Sequence, residues 1–202
     1  YDAEVVGRHV FYNRSYFDGN NADANAGDDA AIDASKSVLP PDSGPATFAN
    51  YTNYSRGING IMVDFEGLPH TPTETDIVFK AGNSDNPSTW GAAPAPASID
   101  VRPGQGDGGS DRVTIIWADN NRDGVVDPNE AVAKQWLEVT VLSDADGGSL
   151  GLVENDVFYL GNAVGETGNT AFNTFVDATD FLSVRFHDRN FLNRAPVTYP
   201  YD

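Results

Sequence analysis

DRVTIIWADNNRDGVVDPNEAVAKQWLEVTVL, Asp111 to Leu142, holds two strand-like runs separated by a loop crowded with oxygen ligands. Asp111 to Trp117 is rich in β-branched residues; Trp136 to Leu142 sets Val139 and Val141 against Thr140, the alternation that a sheet with one wet face requires. Similar short runs recur at Val5 to Tyr12, Ala46 to Tyr51, Gly60 to Phe65, Asp76 to Lys80, Ser98 to Arg102, Asp156 to Leu160 and Leu182 to Phe186. Between them 20 glycines and 12 prolines punctuate the chain, and no segment sustains an apolar period of 3.6 residues. The expected fold is all-β: an antiparallel, jelly-roll-like β-sandwich with long calcium-binding loops, in one domain over residues 1–202. The Pro/Ala-rich stretch Gly91 to Ser98 reads as a loop within it. RPGQGDGGSD, just before Asp111 to Trp117, reads as a hairpin loop. The run DIVFKAGN, Asp76 to Asn83, is echoed by DVFYLGN, Asp156 to Asn162, an echo too short to define a repeat.

The loop DNNRDGVVDPNE, Asp119 to Glu130, fits the twelve-residue calcium pattern D-x-[DN]-x-[DN]-G-x5-E at every defined position. That template assigns side-chain oxygens to Asp119, Asn121 and Asp123, a carbonyl to Val125, a direct or water-mediated contact to Asp127 and both carboxylate oxygens to Glu130, with the turn at Gly124. A strand leads in and only a short helical turn, Glu130 to Lys134, is expected after it, so the ion is expected to staple the loop rather than to drive a helix pair apart. A second cluster, DGNNADANAGDDAAID, offers Asp18, Asn20, Asp23, Asn25, Asp28 and Asp29 to another ion without matching a rigid template. A weaker third comprises Asp144 to Gly148 with Glu154 and Asp156.

Composition narrows the function classes. Against 12 Lys+Arg stand 30 Asp+Glu, a formal charge of -18, so the field that attracts nucleic acid or anionic lipid is missing. At 202 residues and 40% hydrophobic content the chain is expected to bury a real core rather than behave as a disordered acidic tail. No stretch approaches the roughly 20 apolar residues of a membrane span, and YDAEVVGRHV lacks the basic and apolar regions of a signal peptide. With no cysteine there is no disulfide, Cys-zinc or thiol chemistry, which leaves metal ions to staple the loops.

Catalytic motifs are not apparent. His9, His70 and His187 lack metal-ligand spacing, and there is no nucleophile elbow, P-loop or dinucleotide fingerprint. Glu66, Glu138 and Glu166 are the strand-adjacent glutamates to test as an acid pair. Sugar-binding sites use exposed aromatic rings as platforms and Asn, Asp or Arg as hydrogen-bond partners. Candidates of that type are Tyr51, Tyr54, Arg56 and Asn59 in NYTNYSRGING, Tyr12, Arg14 and Tyr16 in FYNRSYF, and Trp90 in NSDNPSTWGA. Trp117 and Trp136 bracket the calcium loop from strand ends and are assigned to the core or rim. Arg185, Arg189 and Arg194 near His187 form a candidate cationic group for sulfate or carboxylate.

The ordered segments VVGRHVFYNRS, DDAAI, FANYTNYSRGINGIMVDFEGL, SDRVTIIWADN, QWLEVTV, DVFYLGNAVGETGN and NRAPVTYPYD resemble a module near the C-termini of large exported proteins of marine bacteria, often beside a dockerin-like repeat or algal-polysaccharide glycoside hydrolases. The resemblance covers nearly the whole chain. It implies a secreted or cell-surface, non-catalytic β-sandwich that binds carbohydrate of the red-algal galactan class, porphyran or agarose, and targets an attached catalytic domain to it. A monomer without nucleic-acid or membrane partners is expected. The alternative is a calcium-stiffened structural or adhesive spacer. In that family WADN runs almost directly into QWL, so the inserted RDGVVDPNEAVAK makes calcium here a property of this sequence's own loop, and no ligand residues carry over.

Overall fold

The computed structural model describes residues 2–119, 121, 123, 127–170, 174–187, 189 and 193–200. Its strands are β1 (Glu4–Val10), β2 (Tyr51–Thr52), β3 (Gly60–Glu66), β4 (Ile77–Gly82), β5 (Gly91–Ala92), β6 (Ser98–Arg102), β7 (Asp111–Ile116), β8 (Trp136–Val141) and β9 (Asp156–Asn162), followed by one helix, α1 (Ala178–Phe186). They form an all-β sandwich of a four-stranded sheet, β1-β3-β7-β6, and a five-stranded sheet, β2-β9-β8-β4-β5. All pairings are antiparallel except the two-residue contact of β2 with β9.

Period-two alternation builds the core. Ile61, Val63 and Phe65 of β3 and Val113 and Ile115 of β7 face Ile77 and Phe79 of β4, Leu137, Val139 and Val141 of β8, and Phe158 and Leu160 of β9. Trp117, 1% exposed, joins this cluster edge-to-face with Phe79 at 5.1 Å. A register shift between Val5 and Gly7 marks a bulge in β1. Beyond it Arg8 pairs bidentately with Asp156 of the other sheet, Nε to Oδ2 at 2.8 Å, and clasps one edge of the sandwich. The echoed runs at Asp76 and Asp156 supply β4 and β9, the two strands flanking β8.

Residues 11–33 cover the outer face of the four-stranded sheet. Phe11 and Ala31 pack on Met62 and Ile116 in a second small core. Beside it, Asp29 of this segment accepts from Arg102 at 2.6 Å and from Arg112 at 3.0 Å, and Arg112 reaches both oxygens of fully buried Asp64 at 2.8 and 2.7 Å. Apolar contact and an ion-pair network thus dock one loop at two points.

Three local expectations fail for identifiable reasons. Leu182 to Phe186 lies in α1, because Asp177 caps the Thr179 amide at 2.7 Å and Asp180 returns to the Asp177 amide at 2.9 Å, a capping box that overrides the alternating apolar pattern. Ala46 to Tyr51 is mostly a turn, with residues 48–50 in a 3-10 helix before β2 begins at Tyr51. Glu130 to Lys134 is not a helical turn: Glu130 bridges Ala118 and Val132 bridges Ile58. The 91–98 stretch starts as edge strand β5 and then carries the chain to β6 of the other sheet.

Behind α1, Glu166 and Asp180 are 0% and 1% exposed and accept from the same Thr167 amide at 3.0 and 2.9 Å. Neither has a basic partner among the described residues. Burial first, then the charge of Asp180, raises the Glu166 carboxyl, so the native state holds a proton that the unfolded chain releases near its ordinary carboxyl value. The resulting contribution to stability is full below about pH 4 and lost as pH rises through the native value. Glu166→Gln, which donates permanently to Asp180, is expected to raise Tm at pH 8, by about 2–4 °C if the repulsion costs about 1 kcal/mol. Thermal melts at pH 5 and pH 8 check this, and a lower Tm for the variant at both would contradict it.

Candidate functional site

β8 presents Trp136, Glu138 and Thr140 on the face opposite Leu137, Val139 and Val141. Its neighbours in register are Gly82 and Gly161 beside Trp136, and Lys80 and Tyr159 beside Glu138. The two glycines leave room for aromatic rings: a Cβ on Gly161 would lie 3.2 Å from the Trp136 ring, and one on Gly82 would lie 2.4 Å from the Trp90 ring. Trp90, Trp136 and Tyr159, all partly exposed, therefore line an open groove of about 790 Å³ on the outer face of the five-stranded sheet.

The groove's walls are held in place by the chain itself. On one side Leu39 exchanges two backbone hydrogen bonds with Tyr159, each 2.9 Å, and leads into Pro40, Pro41 and Pro45. On the other, Asn86 caps a 3-10 turn at Pro87–Thr89, and the Trp90 indole donates to the Ser84 carbonyl at 3.0 Å. Trp90 meets Tyr159 edge-to-face at 5.8 Å and 81°. Lys80 donates to Glu138 at 3.0 Å, and burial together with the Glu138 charge raises the Tyr159 hydroxyl pKa, keeping it neutral and able to donate. Past Trp136 and Asn83 a second depression of about 520 Å³ adds Lys134, Gln135 and Asn162. Tryptophan and tyrosine faces flanked by amides and carbonyls offer stacking surface and directional hydrogen bonds together.

Of the aromatics singled out from sequence, Trp90 enters this groove and Tyr51, 4% exposed, lines the second depression. Tyr12 is buried and donates to Asp33 at 2.6 Å; Tyr54 packs on it at 4.7 Å and donates to the Asn13 carbonyl at 3.2 Å. Arg56 and fully buried Asn59 each reach Asp119 at 2.9 Å, with Arg14 at 3.6 Å. Tyr16 is 62% exposed under Arg194, 4.1 Å over its ring. The two segments do meet, as an internal junction in which Tyr12 and Tyr51 are buried, Tyr54 is half-buried and Tyr16 stays exposed. Trp136 corrects the expectation of a core or rim position, because strand parity places it outside; Tyr159, not singled out from sequence, follows the same parity.

Several of the acidic side chains singled out from sequence are held by protein donors. Asp119 is taken by Arg56 and Asn59, while Glu130 accepts from the Asn121 and Asp127 amides at 2.8 and 3.3 Å. Asn121 donates to Asp127 at 2.9 Å and accepts from the Asp123 amide at 2.8 Å. Gly124 and Val125 lie outside the described residues. Among the described residues of the loop, these side chains are turned to separate protein donors. In the second cluster Asp29 is committed to Arg102 and Arg112, and Asp23 is exposed. In the third, Asp156 is committed to Arg8 and Asp144 accepts from the Gly151 amide at 2.9 Å.

Among the described residues the one group of three acidic or imidazole side chains with converging ligand atoms is His9, Asp64 and Asp107. Arg112 Nη2 lies 2.7 Å from Asp64, 3.3 Å from Asp107 and 3.4 Å from His9, so a guanidinium already fills the centre. His70 Nε2 donates to the Ser149 carbonyl at 3.0 Å, and His187 is the C-cap of α1. Glu66 ends β3, Glu138 sits mid-strand in the other sheet and Glu166 is buried behind α1, so the three glutamates lie in separate settings. Arg189 stacks on Tyr199 at 4.8 Å and Arg194 on Tyr16, away from a common anion site with Arg185 in α1. No described helix is long and apolar enough to cross a membrane.

Comparison with protein-family models, curated proteins and solved structures returned no match. The class is set by the fold alone: an all-β sandwich with an aromatic groove on one outer face.

Proposed function

We propose that the protein is a non-catalytic carbohydrate-binding module whose groove lies along a red-algal galactan chain, porphyran or agarose, and holds an attached glycoside hydrolase on it. The observation supporting this is the floor and wall formed by Trp90, Trp136 and Tyr159, three rings lining one open groove. A polysaccharide passes through an open groove as a chain, and each apolar sugar face finds a ring. Secretion or surface display and a monomeric working form belong to the same reading. So does calcium at Asp119–Glu130, which rests on the loop's twelve-residue spacing: the ion would have to draw Asp119 from Arg56 and close the loop around itself.

Charge ranks the two galactans. Asp42 and Asp85 lie at the groove, Glu138 adjoins Tyr159, and the whole chain carries -18, so sulfate on porphyran is repelled where neutral agarose is not. Affinity electrophoresis with agarose, porphyran, carrageenan and alginate tests the proposal. Retardation is expected with agarose, weaker retardation with porphyran that strengthens with salt, and none with alginate. Unretarded migration in all four would contradict it and leave the spacer reading.

A further inference from the structure

The loop that covers the four-stranded sheet contains two buried oxygens without a hydrogen-bond partner. Asn13 is 1% exposed and Asp18 5% exposed, and neither Asn13 Oδ1 nor Asp18 Oδ2 meets a donor. The orientation of Asn13 is fixed: its backbone is clamped by both ends of the Asn59 amide, at 3.1 and 2.8 Å, and its Nδ2 donates to the Ala22 carbonyl at 3.3 Å. With Nδ2 committed to that carbonyl, Oδ1 is the amide atom left without a donor, five residues before Asp18 in the same loop. Asp18 uses Oδ1 to accept from the Asn20 amide at 2.9 Å, which leaves Oδ2 free.

The 27–28 turn closes on the same place. A Cβ at Gly27 would lie 3.6 Å from the Asp18 carbonyl oxygen, so the two stretches of backbone touch. Asp28, fully buried, accepts from the Asn25 amide at 2.9 Å and from Asn25 Nδ2 at 3.2 Å. Among the described residues no basic side chain forms an ion pair with Asp18 or Asp28. An uncompensated buried carboxylate is costly, and a buried amide oxygen without a donor adds to the cost. A cation held between them would satisfy both oxygens at once.

We propose that the 13–28 loop encloses a divalent cation, calcium by its all-oxygen donor set, with Asn13 Oδ1 and Asp18 Oδ2 as ligands and Asp28 as a neighbouring charge. Burial raises the Asp18 carboxyl against the opposing pull of the surrounding backbone amides, and a bound cation would offset that cost. Asp28 is raised by burial first; the Asn25 amide and the Arg102 charge offset part of this and Asp18 adds to it, so a cation here would ease the repulsion between the two acids. Asp29 takes no part, being held by Arg102 and Arg112. The site is independent of the glycan reading, since it lies on the other sheet.

The test uses protein stripped with EGTA and titrated with calcium chloride by calorimetry, with thermal melts in calcium and in EGTA. Asp18→Asn is expected to weaken one calcium site at least tenfold and to shrink the gap in Tm between the two conditions. Glu130→Gln, in the other loop, is expected to leave that site in place. Asn13→Asp adds a carboxylate to the cage and is expected to widen the Tm gap; it also decides the matter if Asp18→Asn fails to fold. Calcium binding and a Tm gap unaltered by either the Asp18 or the Asn13 change would overturn the proposal. So would a gap that follows pH in EGTA rather than calcium, since the two oxygens would then share a proton.

Discussion

Trp136→Ala is expected to weaken galactan binding by about thirtyfold, the equivalent of losing about 2 kcal/mol at a central aromatic anchor, while the sandwich stays folded. The size follows from position. Trp136 lines both depressions of the outer face, and the glycines in register on either side of it provide no side chain to replace its ring. Its inward neighbour Leu137, fully buried, is untouched by the change. Tyr54→Ala is the contrasting substitution: it removes packing on Tyr12 and a hydrogen bond to Asn13, so it is expected to lower Tm and leave glycan affinity alone. Equal glycan affinities for wild type and Trp136→Ala would remove the groove from the account.

Asp64→Ala is expected to cost about 3–5 kcal/mol of folding free energy, because it leaves Arg112 buried with its strongest partner gone. Arg112 is 4% exposed and holds Asp64 by two hydrogen bonds, with His9 Nε2 at 3.3 Å and the Asp107 amide at 2.9 Å completing the carboxylate's surroundings. Burial pushes this carboxyl up, but the Arg112 and His9 contacts outweigh it and hold Asp64 well below the usual carboxylate range. The sign follows: the contribution is present above about pH 4 and lost as pH falls through the native value. Arg112 and Arg102 also hold Asp29, so the 11–33 cover is expected to loosen with them. Urea unfolding at pH 7 measures the loss, and a change under about 1 kcal/mol would show that the cover docks on its apolar contacts alone.

The sandwich was legible because burial imposes a period of two, and β3, β4, β6, β7, β8 and β9 fall within a few residues of the runs read from sequence. α1 was not, since Leu182, Val184 and Phe186 alternate like a strand while the deciding signal, Asp177 with Asp180, is a cap just upstream. The groove was half legible. Trp90 stood out in a polar loop, whereas Trp136 and Tyr159 were hidden inside apolar runs, where only their parity with Glu138 and Val157 marks them as outward. The acid clusters show the limit of composition: Asp29, Asp119 and Asp156 read as ligand density, yet each faces an arginine distant in sequence. Asn13 was missed for the converse reason, because nothing local reveals that its amide oxygen is buried without a donor.

The chain's three tryptophans make the central claim directly measurable. Trp90 and Trp136 line the groove, while Trp117 lies in the core as an internal reference. Titration with agarose-derived oligosaccharides is expected to change the intrinsic tryptophan emission saturably in wild type, and the change is expected to vanish in the Trp90→Ala, Trp136→Ala double variant with its melt still cooperative. Saturable oligosaccharide binding retained by that double variant would contradict the account.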